Sequence, residues 1–436
     1  MNIRIDTNHQ YRFPSEVKLV KHRGKIIAVL PETSNWIVLD NDIQVEILTA
    51  LSFNKISYVL EKYDQNYNDC ISVITQIEAR HLESDAVSRN TSYSMHLYLT
   101  NECNMRCPHC YMIAGEKNEN ELTTQEIKSL LSDFKKLGGI GVILSGGEIG
   151  LRSDLVEIIT YAHTVELKVD ILSNGTLLTE DIVNKIAHYI NRAQISIDGF
   201  SEETNAKIRG KGNFQKALNA IDLLISHNVN TEIAITPFPD KELNIYTNDY
   251  IRFGQKLKEK YGDKLNIKIT TEILEGRNIN LTAEEKNQYT DITEKIACAI
   301  VGDVSGKGGF VRSARIRVIN DNCSYGNINI ASNGDVYPCA KIGQCTKIGN
   351  IRNQKFETIM DISHHLEQVS NVNNLIPCKD CELKYICGGE CRINYFPEFR
   401  TADILNSDSS PSRYCPKEYK ESMLDLLIET NEAIFT

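Results

Sequence analysis

The 436 residues read as an α/β protein built in three parts, and three observations carry that reading. Short apolar runs alternate with helical stretches six times through the middle of the chain, the pattern of a parallel sheet made from β/α units. Three cysteines stand at C-x3-C-x2-C spacing directly after the first of those runs, and a second, longer cysteine array runs from Cys323 to Cys415. The parts are expected at residues 1–92, 93–310 and 311–436.

Composition narrows the function classes. Apolar residues at 41% and charged residues at 24% are ordinary for a globular protein with a sizeable core. A formal charge of −10 argues against a large nucleic-acid footprint, which would favour a basic face. No run of 18 apolar residues occurs and the start MNIRIDTNHQ lacks a signal-peptide core, so no membrane partner and a cytoplasmic location are expected. The 13 cysteines, clustered rather than spread, point to metal ligation in a reducing compartment.

In residues 1–92, alternating apolar segments at Glu16–His22, Ile26–Leu30 and Trp36–Leu39 are split by Arg23-Gly24-Lys25 and Glu32-Thr33-Ser34-Asn35, which predicts a three-stranded meander. Asp40 or Asn41 can cap a helix through Leu51, and helices follow near Ile56–Tyr63 and Asn68–Leu82, the last with Ile71, Ile74 and Ile77 at helical spacing. Cys70 lies among those apolar positions and reads as a core residue. The β-β-β-α-α-α order is similar to the winged-helix-like precursor-recognition element of ribosomal-peptide maturases; the alternative is a plain dimerisation or packing domain. The resemblance implies that a leader peptide pairs with a strand edge, in the groove beside the third helix.

In residues 93–310, strands are expected near Met95–Leu99, Ile140–Leu144, Lys168–Leu172, Gln194–Ile197, Thr231–Ile235 and Leu265–Ile269, with capping boxes at Thr123-x-x-Glu126 and Thr282-x-x-Glu285. Ligands of such a sheet gather at the carboxyl ends of its strands. After the first strand comes Cys103-Asn104-Met105-Arg106-Cys107-Pro108-His109-Cys110. Four-iron clusters normally take four Cys ligands, so a triplet leaves one iron open for a small molecule; the alternative is a structural zinc site. After the second strand, Gly146 and Gly147 let the backbone approach a ligand and Glu148 can accept from an ammonium group, though such a motif is also an ordinary turn.

The triplet resembles the signature of the radical S-adenosylmethionine (radical SAM) family. That resemblance implies a partial (β/α)6 barrel and a [4Fe–4S] cluster whose open iron is chelated by the methionine end of SAM. Reduction of such a cluster cleaves SAM to a 5′-deoxyadenosyl radical. Ser145-Gly146-Gly147-Glu148 resembles the family's Gly-Gly-Glu-Pro motif, which contacts the SAM amine, with Ile149 in place of Pro. Ser173 and Asn174 resemble its ribose-contacting segment. Ser196, in Ser196-Ile197-Asp198-Gly199, and Arg209 are the implied contacts to the SAM carboxylate, with a solvated arginine in a glycine-rich loop as the alternative for Arg209. His109 stands where the family places a ring beside the adenine; a ring packed for structural reasons is the other reading.

In residues 311–436, Cys323, Cys339, Cys378, Cys381, Cys387, Cys391 and Cys415 match the pattern of the SPASM extension, which binds two auxiliary [4Fe–4S] clusters and brings the total to three. The family's crossing order implies that Cys378, Cys381, Cys387 and Cys415 hold the outer cluster and Cys323, Cys339 and Cys391 the inner one. Cys345 is the nearest candidate for the missing inner thiolate, with Cys298 more distant. Lys347–Ile351 looks like a hairpin strand, and Glu275-Gly276-Arg277 like the turn that leads into this extension.

Together these parts imply a maturase that modifies a ribosomally made precursor peptide, by hydrogen abstraction followed by a carbon–carbon or thioether crosslink. An electron donor such as a flavodoxin or ferredoxin is implied as partner. The rival reading is an anaerobic sulfatase-maturating enzyme that oxidises a Cys or Ser. No catalytic acid or base is assigned.

Overall fold

The computed structural model describes residues 5–87, 93–240, 242–274, 276–301, 318–406 and 409–435. The boundaries expected after 92 and 310 fall within 88–92 and 302–317, and Glu275 of the Glu-Gly-Arg turn stands alone; all lie outside the described residues.

The chain opens with the meander, β1 (Lys18–His22), β2 (Lys25–Leu30) and β3 (Asn35–Leu39), all antiparallel. Helices α1 (Asp42–Phe53), α2 (Ile56–Lys62) and α3 (Tyr67–Arg80) follow, and the Asn41 side chain caps α1 by accepting from Gln44 N–H. One sheet face packs with these helices through Ile26, Ala28, Ile37 and Leu39, a core that also takes in Cys70. The other face, Ile27, Val29, Trp36 and Val38, packs against Leu383, Ile386, Leu424 and Leu427 from the far end of the sequence.

The two edges of this sheet differ. On β3 the Gln76 side chain, reaching from α3, accepts from Val38 N–H at 3.0 Å and donates to Val38 C=O at 2.8 Å, so an amide group stands where an added strand would pair. Every residue of β3 is buried. The edge expected to receive a peptide beside the third helix is therefore closed by that helix. On β1, Lys18, Leu19 and Lys21 are exposed, and the strand pairs with β2 alone among the described residues.

Six parallel strands form the middle of the molecule in sequence order: β4 (Ser94–Tyr98), β5 (Gly141–Ser145), β6 (Lys168–Ser173), β7 (Arg192–Ser196), β8 (Asn230–Ile235) and β9 (Leu265–Ile269). Between them run α4 (Thr124–Lys136), α5 (Leu155–Thr164), α6 (Glu180–Ile186), α7 (Glu202–Arg209), α8 (Asn213–Ser226) and α9 (Leu243–Tyr261). Alternate residues such as Met95 and Leu97, Val142 and Leu144, and Val169 and Ile171 face these helices in one core. Thr123 and Glu126 form the expected capping box, and Thr282 and Glu285 exchange the same reciprocal bonds before α10 (Ala283–Val301).

The sheet is longer than the sequence pattern suggests. Three short strands, β10 (Asn329–Ile330), β11 (Asp335–Tyr337) and β12 (Gly349–Asn350), extend it to nine, with β10 running parallel to β4. The cysteine-rich part is thus hydrogen-bonded to the strand that leads into Cys103. No helix among the described residues is long and apolar enough to cross a membrane.

Candidate active site

The loop after β4 carries the cysteine triplet and is bonded on three sides. Cys103 N–H donates to Gly115 C=O at 2.9 Å, and Gly115 N–H returns the bond to Asn101 at 2.8 Å. From the turn after β9, Arg277 N–H donates to Cys110 C=O and Asn278 N–H to Pro108 C=O, while the Arg277 guanidinium donates to the carbonyls of Cys107 and Ala114. Gly276 lies so close beneath His109 that a Cβ would stand 2.6 Å from the His109 carbonyl carbon. The Gly-Arg turn, expected only as a connection to the next part, is a clamp on the cysteine loop.

That clamp gathers the three thiols. Cys103, Cys107 and Cys110 share one small apolar cluster with Met105, Ile208 and Phe238. Backbone N–H groups of Met105 and Ala114 point at the sulfurs of Cys103 and Cys110, each at 3.4 Å. Burial pushes the Cys107 thiol up to about 11, with Arg209 opposing the rise. Metal binding at such a thiol therefore displaces a proton.

The Gly-Gly-Glu turn after β5 is bolted to the same loop. Gly147 N–H donates to Thr100 C=O and Glu148 N–H to Glu102 C=O, both at 2.8 Å. Gly146 has φ of +141°, and a Cβ at Gly147 would stand 2.1 Å from the Glu102 carbonyl oxygen. Here the glycines serve the close approach of two loops. Ile149, replacing the family's Pro, is fully buried in the main core.

Glu148 is 1% exposed and takes three bonds: Gly150 N–H and Ser173 O–H on Oε1, and Asn174 N–H on Oε2. A carboxylate offers about four lone-pair sites, so one remains, on Oε2. Burial raises its pKa, while these donors and Arg209 oppose the rise. The structure thus brings Ser173 and Asn174 to Glu148, and Asn174 also donates to Asn104 in the cysteine loop at 2.8 Å.

Ser196 ends β7, half-buried and in register with Ala234. Two residues on, Asp198 is 0% exposed and collects Arg209 Nε–H at 2.5 Å, Thr236 N–H at 3.2 Å and, at 3.4 Å, the Nε2 of His109. Arg209 closes α7 with its side chain only 12% exposed and paired with a buried carboxylate, unlike a solvated loop arginine, and its charge acts on Cys103, Cys107 and Glu148. Desolvation lowers the His109 pKa against the pull of Asp198, and its Nδ1 is buried with no partner among the described residues. Reasoning from the sequence passes over Asp198, although it stands two residues after Ser196. The signal that could have found it is an acidic residue at the end of a parallel strand.

The remaining cysteines fall into two neighbourhoods. Cys378, Cys381, Cys387 and Cys415 surround Arg413 and Lys420: Arg413 donates to the Cys415 sulfur at 3.5 Å and acts on Cys378 and Cys387, while Lys420 acts on Cys381 and Cys415. Cys339 interacts with Cys323 and Cys391, and Tyr325 senses Cys323, Cys339 and Cys345 together. Cys345 is buried beside Cys339, its thiol directed at the carbonyls of Cys339 and Lys341. Cys298 lies on α10.

The residues suit the groups the family would bring. No three His, Cys, Asp or Glu side chains among the described residues converge tightly enough for a single metal ion. A four-iron cube, with its irons standing between the thiolates, asks for sulfurs held farther apart than one zinc ion does. An open lone pair on Glu148 and an orphaned ring nitrogen on His109 face the needs of a small polar ligand beside the triplet.

Comparison with known proteins agrees. The radical SAM superfamily model matches residues 97–244 and the SPASM iron–sulfur cluster-binding domain matches residues 323–382. The mycofactocin maturase MftC of Mycolicibacterium smegmatis is 28% identical over 67% of this chain and 76% of its own length. An AdoMet-dependent heme synthase of Methanosarcina barkeri is 29% identical over 71% and 93% respectively. The antilisterial bacteriocin subtilosin biosynthesis protein AlbA of Bacillus subtilis is 24% identical over 67% and 65%. Among solved structures, native anSMEcpe with bound AdoMet superposes with a TM-score of 0.56 at 18% identity, covering 78% of this chain and 99% of that one, a likeness of fold. The chain carries a radical SAM domain, followed by an SPASM iron–sulfur cluster-binding domain.

Proposed function

We propose that this enzyme modifies a ribosomally made precursor peptide, closing a crosslink between side chains, and that the peptide's leader docks on the N-terminal sheet. When bound at Cys103, Cys107 and Cys110, a [4Fe–4S] cluster and SAM supply a 5′-deoxyadenosyl radical able to take a hydrogen from the substrate. Glu148 Oε2 offers its free lone pair to the SAM ammonium group. Arg209 has spent Nε–H on Asp198, so a carboxylate would take its terminal N–H groups, with Ser196 nearby at the strand end. His109 presents a neutral ring with an open nitrogen to the adenine, and Ser173 and Asn174 orient Glu148 besides lying on the ribose side. Two auxiliary clusters, one on Cys378, Cys381, Cys387 and Cys415 and one on Cys323, Cys339, Cys391 and Cys345, would accept the surplus electron after ring closure. A flavodoxin or ferredoxin would supply the first one.

The observation that carries the peptide reading is the free edge of β1. Beside it lies a groove of about 440 Å³ lined by Tyr11, Phe13, Leu19, Val45, Leu48 and Phe53, with Leu19 50% and Phe53 74% exposed. An extended segment pairing with β1 would satisfy backbone groups on one side and seat alternate apolar side chains in this groove. Tethering raises the effective concentration of the rest of the peptide to about millimolar, so the barrel itself need not bind it tightly. Relatives named as a mycofactocin maturase and a bacteriocin biosynthesis protein support a peptide substrate. The heme-synthase relative favours a second reading, a porphyrin substrate, which has no use for a strand edge.

Mass spectrometry of a precursor peptide co-expressed with the enzyme decides between them: a loss of two hydrogens localised to a crosslink is expected, and an unchanged peptide overturns the reading. Removing residues 1–90 is a poor test of docking, because it would strip the cover from Leu424 and Leu427. Leu19→Glu with Phe53→Ser should instead lower kcat/KM for the full precursor at least tenfold, the scale expected when two apolar side chains leave a binding groove, with SAM cleavage unchanged. An unaltered kcat/KM would move the docking site elsewhere.

A further inference from the structure

Arg392 follows Cys391 directly and is 0% exposed. Its Nε–H donates to Ser370 C=O at 2.8 Å, Nη1 to the carbonyls of Gly388 at 2.8 Å and Glu390 at 2.5 Å, and Nη2 to Asp321 C=O at 3.3 Å. Carbonyl dipoles solvate the fork, yet none of these partners carries a charge. Among the described residues no carboxylate forms an ion pair with it, and the ring of Phe396 stands 5.9 Å away. Leaving a guanidinium buried without a counter-charge is unfavourable, so its surroundings should supply one.

The fork's partners flank cysteines of both neighbourhoods: Gly388 follows Cys387, Glu390 precedes Cys391 and Asp321 lies two residues before Cys323, while a Cβ on Gly389 would stand 3.2 Å from Nη1 and 3.5 Å from the Cys378 sulfur. Arg413 acts on Cys378, Cys387 and Cys415, and Lys341 acts on Cys391 while bonded to Glu272 at 3.1 Å. Arg392 lies between the two sets. Its place in the sequence explains why: at Cys391 the chain crosses from the outer set of ligands to the inner one.

We propose that Arg392 is the shared counter-charge of the two auxiliary sites, a positioning residue that eases the addition of an electron to either cluster. This rests on the reading that both sites hold [4Fe–4S] clusters. A four-thiolate cluster carries net negative charge that grows by one on reduction, and a fixed buried cation midway favours the reduced form on both sides. No bond is made or broken at Arg392; the electron comes from the substrate radical or from the external donor.

The test is a potentiometric titration followed by electron paramagnetic resonance, in protein carrying Cys103→Ala, Cys107→Ala and Cys110→Ala so that only auxiliary clusters remain. Arg392→Met should shift both midpoints toward the oxidised form by about tenfold in the equilibrium, about 59 mV for a one-electron couple, with iron content retained. Arg413→Met should shift one midpoint only. Arg392→Lys, which keeps the charge and loses the fork, should leave both near their original values. A shift confined to one midpoint, or none, in Arg392→Met overturns the proposal. So does an Arg392→Lys protein that behaves as the Met variant does, or a collapse of both variants on purification, since either makes the fork's hydrogen bonds the whole of its role. Absence of any [4Fe–4S] signal in the parent triple variant would instead refute the two-cluster reading itself.

Discussion

Both cysteine regions withdraw an arginine from solvent, wholly for Arg392 and mostly for Arg209, and they balance its charge in different ways. Beside Cys103 and Cys107, Arg209 is joined to the buried carboxylate of Asp198. Among the later cysteines, Arg392 is solvated by four backbone carbonyls with no carboxylate partner among the described residues. The difference fits the ligands that the function proposed above assigns to each region. A site that receives a zwitterion keeps its own charges matched beforehand, so that ammonium and carboxylate can be read one by one. A site that receives only anionic clusters can leave a cation unmatched until they arrive.

The largest break in this comparison comes from removing the first set of thiols. Changing Cys103, Cys107 and Cys110 together to Ala should abolish 5′-deoxyadenosine formation while about two thirds of the iron, two clusters of three, stays bound. Iron analysis beside a chromatographic assay reads both, and persisting 5′-deoxyadenosine would dismantle the assignment. Next in size is Asp198→Asn, which strands Arg209 and should destabilise the fold by about 3–5 kcal/mol in urea denaturation, whereas adding Arg209→Met should recover much of that loss. Equal stabilities of the single and double variants would mean that the pair is not matched as described. The smallest is Glu148→Gln, which withdraws the charge behind the last lone pair. SAM binding by equilibrium dialysis should weaken about 10- to 100-fold, the worth of one hydrogen bond between charged groups, with the auxiliary cluster spectra untouched. Binding within twofold of the parent would remove Glu148 from the ammonium contact.

Much of the frame is legible because it is local. Period-2 runs place the strands to within about two residues, Thr123 and Glu126 announce a helix start three residues apart, and cysteine spacing groups the thiols. What escapes is written across long separations. Asp198 meets His109, Gln76 closes the edge of β3, and Arg277 grips the Cys107 loop, each contact joining residues far apart in sequence that no periodicity links. Gly276-Arg277 is visible as a motif but its partner is not, since a turn's neighbours in space cannot be read from its own residues. β10 has two residues, too few for an alternating pattern to register, whereas the equally short β12 falls inside the hairpin strand expected at Lys347–Ile351.

The packing of the helix Lys417–Phe435 on the first sheet has a consequence for biosynthesis. Leu39 leaves the ribosome about 380 residues before Lys417. At elongation rates of roughly 5–20 residues per second, the face bearing Trp36 and Val38 waits on the order of 20–75 s for its cover. During that interval it is a sticky apolar surface, a natural client for a holding chaperone. The helix that relieves it emerges just after Cys415, so the first sheet is sealed only once Cys415 has been translated. Closure of the fold is thereby timed to completion of the thiol set, and a nascent chain that stalls early keeps an exposed flag for degradation.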